Sequence, residues 1–265
     1  MAGLCAGVTC GVVGVFVVTM HLSFLGVCIA HAAFAGALMG VWLGFDPLVG
    51  ALVYSVGAAA LIGPLADRGE LSPDASIGIV FSFMLGLAFL FLGLTPGART
   101  EALNLFWGSI LTVRRHELIL LAATMAAVVG LAALFFKEIQ AVLCHRSVAL
   151  AVGVSATLVF YGMLLATGVT IAVALRPIGG LLIYSLLLNP AAAAFRLTYS
   201  LKRMFVLAAV FGVASCWAGL AASWLWDLPA GAAIVITSCG VFALATAFSP
   251  KRKKARTRPE PHAAR

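Results

Sequence analysis

The sequence predicts an all-α fold: a polytopic bundle of eight or nine membrane-crossing helices, with one broken helix and one short re-entrant or interfacial helix. Three observations predict it. Of 265 residues, 63% are hydrophobic and 10% are charged, with a mean hydropathy of +1.12, whereas a soluble domain carries about a quarter charged residues. Apolar stretches near the roughly 20 residues that cross about 30 Å of hydrocarbon follow one another with short loops between them, leaving no room for a separate catalytic or nucleotide-binding domain. The net charge of +8 is local, because Lys251, Arg252, Lys253, Lys254, Arg256, Arg258 and Arg265 all fall in the last fifteen residues. The body is nearly neutral, which argues against a nucleic-acid partner. Residues 1–249 read as the membrane domain and 250–265 as a disordered basic tail.

Taken in order, the candidate spans are Gly3 to Val18, Leu22 to Phe45, Pro47 to Ala66, Ala75 to Leu94, Glu117 to Phe136, Val148 to Ala166, Gly168 to Phe195, Met204 to Trp224 and Pro229 to Phe248. The first begins almost at Met1 without a charged leader and reads as a retained span rather than a signal peptide. Leu105 to Val113 is apolar but too short to cross, so it is the re-entrant or interfacial piece. The six cysteines form no CxxC pair, so neither a zinc cluster nor a disulfide framework is indicated.

Lys and Arg collect on the cytoplasmic side of membrane proteins. Placing the tail inside also puts Arg196, Lys202, Arg203, Lys137, Arg146 and Arg68 inside. Arg99, Arg114 and Arg115 then lie outside, partly offset by Glu101 and Glu117. Trp224 and Trp226, beside the turn Asp227-Leu228-Pro229, suit an external aromatic belt.

Close helix contact in lipid depends on small residues. Ala32, Gly36, Gly40 and Gly44 recur every fourth position in the second span, and Gly212, Ser215, Gly219 and Ser223 do much the same in the eighth. These are expected to be packing stripes. His31 lies mid-span beside the first stripe, one helical step of about 100° away. A neutral imidazole is a good ligand for zinc, iron or manganese, and a histidine hydrogen-bonded between helices is the alternative. Arg176-Pro177-Ile178-Gly179-Gly180 sets a charge, a helix breaker and two glycines inside the seventh stretch. Either the helix breaks at membrane depth, as in many substrate pathways, or Arg176 ends a long sixth helix at the outer interface and a short seventh helix follows.

Absences bear on the energy source. Five lysines occur and none follows a glycine, so there is no phosphate-binding P-loop. All nine Asp and Glu fall in loops or at span ends, whereas an ion-coupled carrier is expected to hold acidic residues within its spans. A partner ATPase acting on cytoplasmic loops accounts for both.

The order of motifs resembles the permease subunits of ATP-binding-cassette importers for zinc, manganese and iron, the ABC-3 family, over nearly the whole chain to about residue 250. The resemblance rests on Gly14 to Val18, Ser23 to Gly26, Ala30 to Gly36 around His31, Ile77 to Ser82, Leu105 to Leu111, Ile178 to Leu182, Leu188 to Ala194 and Asp227 to Gly231. It implies a homodimeric or paired permease in the bacterial inner membrane with a cytoplasmic C-terminus. An extracytoplasmic metal-binding protein hands it the ion, and two copies of a cytoplasmic ATPase drive it. No cofactor is held permanently; the divalent metal ion is the substrate. The segment lying on the ATPase maps to Asn189 through Met204, with Pro190, Ala191, Ala192, Arg196, Lys202 and Arg203 as its coupling residues, and Glu138 to Gly153 is a second contact candidate. The chain departs from the family pattern at Val27, where members often carry an Asp four residues before the histidine. His31 then lacks its companion ligand. A shortened lead before the first span is the second departure. A permease for a metal chelate or cobalamin-type substrate shares the Pro-Ile-Gly run and is the competing reading; an ion-coupled carrier is disfavoured by the missing carboxylates.

Overall fold

The computed structural model describes residues 1–67, 72–95, 108, 113–144, 153 and 155–249. Among these are ten α-helices and no strand: α1 (Ala2–Thr19), α2 (Leu25–Leu43), α3 (Pro47–Asp67), α4 (Pro73–Leu94), α5 (Arg115–Leu134), α6 (Phe136–Cys144), α7 (Ala156–Ile178), α8 (Gly180–Leu197), α9 (Leu201–Trp226) and α10 (Ala230–Ala247). All but α6 and α8 are long and apolar enough to cross a membrane.

Local chemistry sets the helix ends. Ser72 caps α4 by accepting the Ala75 N–H at 3.3 Å, with Pro73 in the first turn. Here proline's missing N–H costs nothing. Glu117, three residues into α5, reaches back to accept the Arg114 N–H at 3.0 Å, satisfying a donor the helix leaves open. At the far end of α9, Asp227 takes the left-handed conformation, and Ser223 Oγ donates to the Leu228 carbonyl at 2.6 Å.

The sixth and seventh spans need correction. A single helix, α7, runs through the expected boundary at Thr167, and the chain breaks at Gly179 instead. Gly168 does not turn the chain. It lets α7 approach α3, where a methyl group added to it would lie 3.1 Å from the Ser55 carbonyl oxygen. Pro177 sits in the last turn of α7, and Gly179 adopts φ 90° and ψ 145°, a region essentially confined to glycine. Of the two alternatives for Arg176, the structure has the second: a long helix that ends just after it, followed by the shorter α8.

The helices run between two ends. At one, Ser249 Oγ donates to the Arg196 carbonyl at 2.7 Å, and Lys202 Nζ lies 5.5 Å from the centre of the Phe136 ring. This is the basic end. At the other, Arg176 Nε lies 4.0 Å from Glu117 Oε1. α1 runs antiparallel to α9, with Gly3 beside Cys216, Gly7 beside Gly212 and Gly11 beside Ala208. The described chain therefore starts at the end opposite the basic one and finishes at the basic end, which requires an odd number of passes. α8, 18 residues long and so about 27 Å, supplies the ninth.

α8 is also the hub, packed by α1, α2, α7, α9 and α10. Its Ile183, Leu186 and Leu187 are fully buried in the main core with Phe16, Ile29 and Ile171. The expected interfacial helix at Leu105 to Val113 lies outside the described residues except for Gly108 and Val113, as do Arg68, Arg99, Glu101, Arg146 and the basic tail.

Candidate translocation site

His31 is the seventh residue of α2 and is half-buried. Its Nδ1 lies 2.9 Å from the Val27 carbonyl oxygen, one turn earlier. A carbonyl only accepts, so Nδ1 carries the proton in this bond. The ring meets Phe81 of α4 edge-on, with centroids 5.1 Å apart, and Phe81 also meets Phe24 edge-on. Backbone and aromatic contacts thus fix the imidazole's orientation, the role a supporting shell plays for a metal ligand. At Val27 the main-chain carbonyl is the only group that position offers the ring.

The small-residue stripe of α2 has two functions. Gly36 meets the Gly50 carbonyl oxygen of α3, and a methyl group on Gly40 would lie 2.9 Å from Pro47 Cα; Ala32 is fully buried. Gly44 departs from the expected packing role. Nothing lies within 4 Å of where its side chain would be. It is the left-handed residue, φ 77°, that ends α2, and helices very commonly end on such a glycine.

A third small-residue stripe, on α1, is not among the sequence-based expectations. Gly3, Gly7, Gly11 and Gly14 line α1, and a methyl group on Gly7 would sit 2.6 Å from the Gly212 carbonyl carbon, while Gly14 meets the Leu187 carbonyl oxygen of α8. Glycines spaced four, four and three residues apart are the available signal. The Asn189 amide donates to Ser238 Oγ at 2.9 Å and lies 3.3 Å from Cys239 Sγ, tying α8 to α10. Ser185 and Asn189 are half-buried and one turn apart on α8, so this helix presents a polar line at mid-depth.

The broken-helix residues gather at the end away from the basic one. Arg176 faces Glu117, and Pro177, Gly179 and Gly180 form the break itself. Gly108, φ 63°, is pressed against the Ile178 and Gly179 backbone, so Gly108 touches the junction of α7 and α8. The expected coupling residues divide. Pro190 and Ala191 are buried, and Ala191 packs with Val15, Met204 and Ala208. They therefore lie out of reach of any partner outside the bundle. Ala192 is half-buried; Arg196, Lys202 and Arg203 are exposed around the α8–α9 turn.

No group of three or more His, Cys, Asp or Glu able to hold a metal ion occurs among the described residues.

A polytopic helix bundle with polar residues on its hub helix and an oriented imidazole within a membrane-spanning helix belongs to the class of membrane transport subunits. The sequence profile of the ABC 3 transport family matches residues 1–249, and the chain belongs to that family. The manganese transport system membrane protein MntC of Listeria monocytogenes is 32% identical over 247 residues, covering 93% of this chain and 88% of that protein. The high-affinity zinc uptake system membrane protein ZnuB of Haemophilus influenzae is 26% identical, covering 92% of this chain and 94% of that protein. Among solved structures, PsaBC from Streptococcus pneumoniae in complex with Fab superposes with a TM-score of 0.85 at 27% identity, covering 96% of this chain and 92% of that one.

Proposed function

We propose that this chain is the membrane-spanning subunit of an ATP-binding-cassette importer that carries a divalent metal ion, manganese or zinc, into the cytoplasm. The observation that carries the reading is His31. Its Nδ1 donates to the Val27 carbonyl, which in this reading assigns metal ligation to Nε2, and among the described residues no group of three or more His, Cys, Asp or Glu is placed to trap an ion. One imidazole binds a divalent ion weakly, and weak binding suits a conduit in which the ion must leave as readily as it arrives. The manganese and zinc systems named among the relatives support the substrate class.

In this reading the chain lies in the bacterial inner membrane with its basic end, and hence its C-terminal tail at 250–265, in the cytoplasm, in keeping with the excess of Lys and Arg there. A second copy completes the pathway, an extracytoplasmic protein delivers the ion, and an ATPase engages the exposed turn carrying Arg196, Lys202 and Arg203. Nucleotide hydrolysis resides in that partner. Closure of the partner tilts α8 as a rigid body. Because α8 is packed on five helices, the tilt reaches α2 and His31.

The test is uptake of radioactive manganese and zinc by proteoliposomes holding this chain with its ATPase, with iron as competitor. His31→Ala should cut uptake about tenfold, the effect of losing ~1.4 kcal/mol of stabilisation. Unchanged uptake and selectivity in that variant would remove His31 from the pathway.

A further inference from the structure

Two adjoining cavities at the basic end are unrelated to His31. The first, about 340 Å³, lies between α1, α5 and α7 and is lined almost wholly by carbon, with Val13, Phe16, Val128, Leu158 and Leu165 among its walls. Its volume falls within the roughly 300–1,000 Å³ of small-ligand sites. The second, about 950 Å³, shares Val12, Ala132 and Phe205 with the first and opens among Lys137, Glu138, Gln140 and Lys202. An apolar chamber therefore continues into a polar mouth.

The mouth carries both signs of charge. Lys137 and Lys202 are exposed, and Lys202 is steered over the Phe136 ring. Glu138 Oε2 is buried and has no hydrogen-bond partner. A buried carboxylate oxygen without a donor is costly, and neither lysine lies within ion-pair distance of it among the described contacts. The site offers two cations to a phosphate and the Glu138 carboxylate to an N–H donor, beside a slot for hydrocarbon.

We propose that this double cavity binds one phosphatidylethanolamine molecule from the leaflet at the basic end. An acyl chain fills the apolar chamber, the phosphate lies between Lys137 and Lys202, and the primary ammonium pairs with the Glu138 carboxylate in the cavity wall. Phosphatidylglycerol matches the lysines but has no cation for Glu138. Phosphatidylcholine has a cation but no N–H to donate.

The full-length protein is extracted from vesicles of equal parts phosphatidylethanolamine, phosphatidylcholine and phosphatidylglycerol, and retained lipid is counted by native mass spectrometry. Phosphatidylethanolamine should be enriched over phosphatidylcholine by about tenfold, the scale of one charge-assisted hydrogen bond. Glu138→Gln should abolish that preference, and Lys137→Ala with Lys202→Ala should lower retention of all three lipids. Gly162 lines the apolar chamber with nothing within 4 Å of its added methyl position. Gly162→Leu should therefore block the chamber without disturbing the fold and reduce total retention. Equal retention of phosphatidylethanolamine and phosphatidylcholine, preferential retention of phosphatidylglycerol, or an undiminished preference in Glu138→Gln would each overturn the proposal.

Discussion

α1 and α5 are similarly apolar helices of 18 and 20 residues, yet 78% of α1 is buried inside the molecule and only 11% of α5. Hydrophobicity places both in a membrane and distinguishes neither. What separates them is side-chain size. α1 carries Gly3, Gly7, Gly11 and Gly14, each within van der Waals distance of α8 or α9, whereas α5 has one glycine, Gly130, with nothing around it. In lipid, where hydrocarbon on a helix gains nothing by leaving hydrocarbon in the bilayer, close packing of backbones decides which helix enters the hub. α5 instead presents Ile119, Leu131 and Leu134 outward.

The contrast can be broken most forcefully at Gly7. Gly7→Leu drives a side chain into the Gly212 and Val213 backbone, and overpacking of this kind costs about 1–3 kcal/mol or more. The variant should lose monodisperse protein or several degrees of melting temperature in detergent, while Gly130→Leu stays within about 0.5 kcal/mol of the parent. Equal losses would mean that the glycines of α1 are not what seats it.

A second comparison sets the break at Gly179 against the stop at Gly44. Gly179→Ala should cost about 1–3 kcal/mol, because φ 90° is strained for any side chain. Gly44→Asn should be far milder, since asparagine tolerates the left-handed conformation and open space surrounds the site. Thermal melting of the two variants side by side checks the order. Smaller again is Glu117→Gln. The Arg176 ion pair is 4.0 Å long with Arg176 about a third exposed, so its loss should change stability by less than about 1 kcal/mol. A larger drop would show that the pair and the α5 cap act as one unit.

Much of this was legible in the sequence, and the misreadings have physical causes. A range of eight or nine spans and the segregation of Lys137, Arg196, Lys202 and Arg203 from Glu117 and Asp227 follow from composition and charge, and the structure gathers these charged groups at opposite ends. Gly168 misled because a glycine between two apolar runs reads equally as a turn or as a close contact, and only the partner, Ser55 of α3, decides. Gly44 misled in the opposite sense: it keeps the four-residue spacing of the stripe while ending the helix. The coupling motif was read as one surface, but helical periodicity turns Pro190 and Ala191 inward and leaves Arg196 outside. Glu138 gave no sequence signal, since its significance is a missing partner.

The central claim is that the bundle is a conduit driven through the exposed α8–α9 turn by a separate nucleotide hydrolase. It is tested most directly by ion accumulation against a gradient in proteoliposomes containing this chain, with and without its ATPase. ATP should drive uphill manganese or zinc uptake only when the ATPase is present, and Arg196→Glu with Lys202→Glu should uncouple hydrolysis from uptake. Accumulation powered by a proton or sodium gradient in vesicles holding this chain alone would contradict the account.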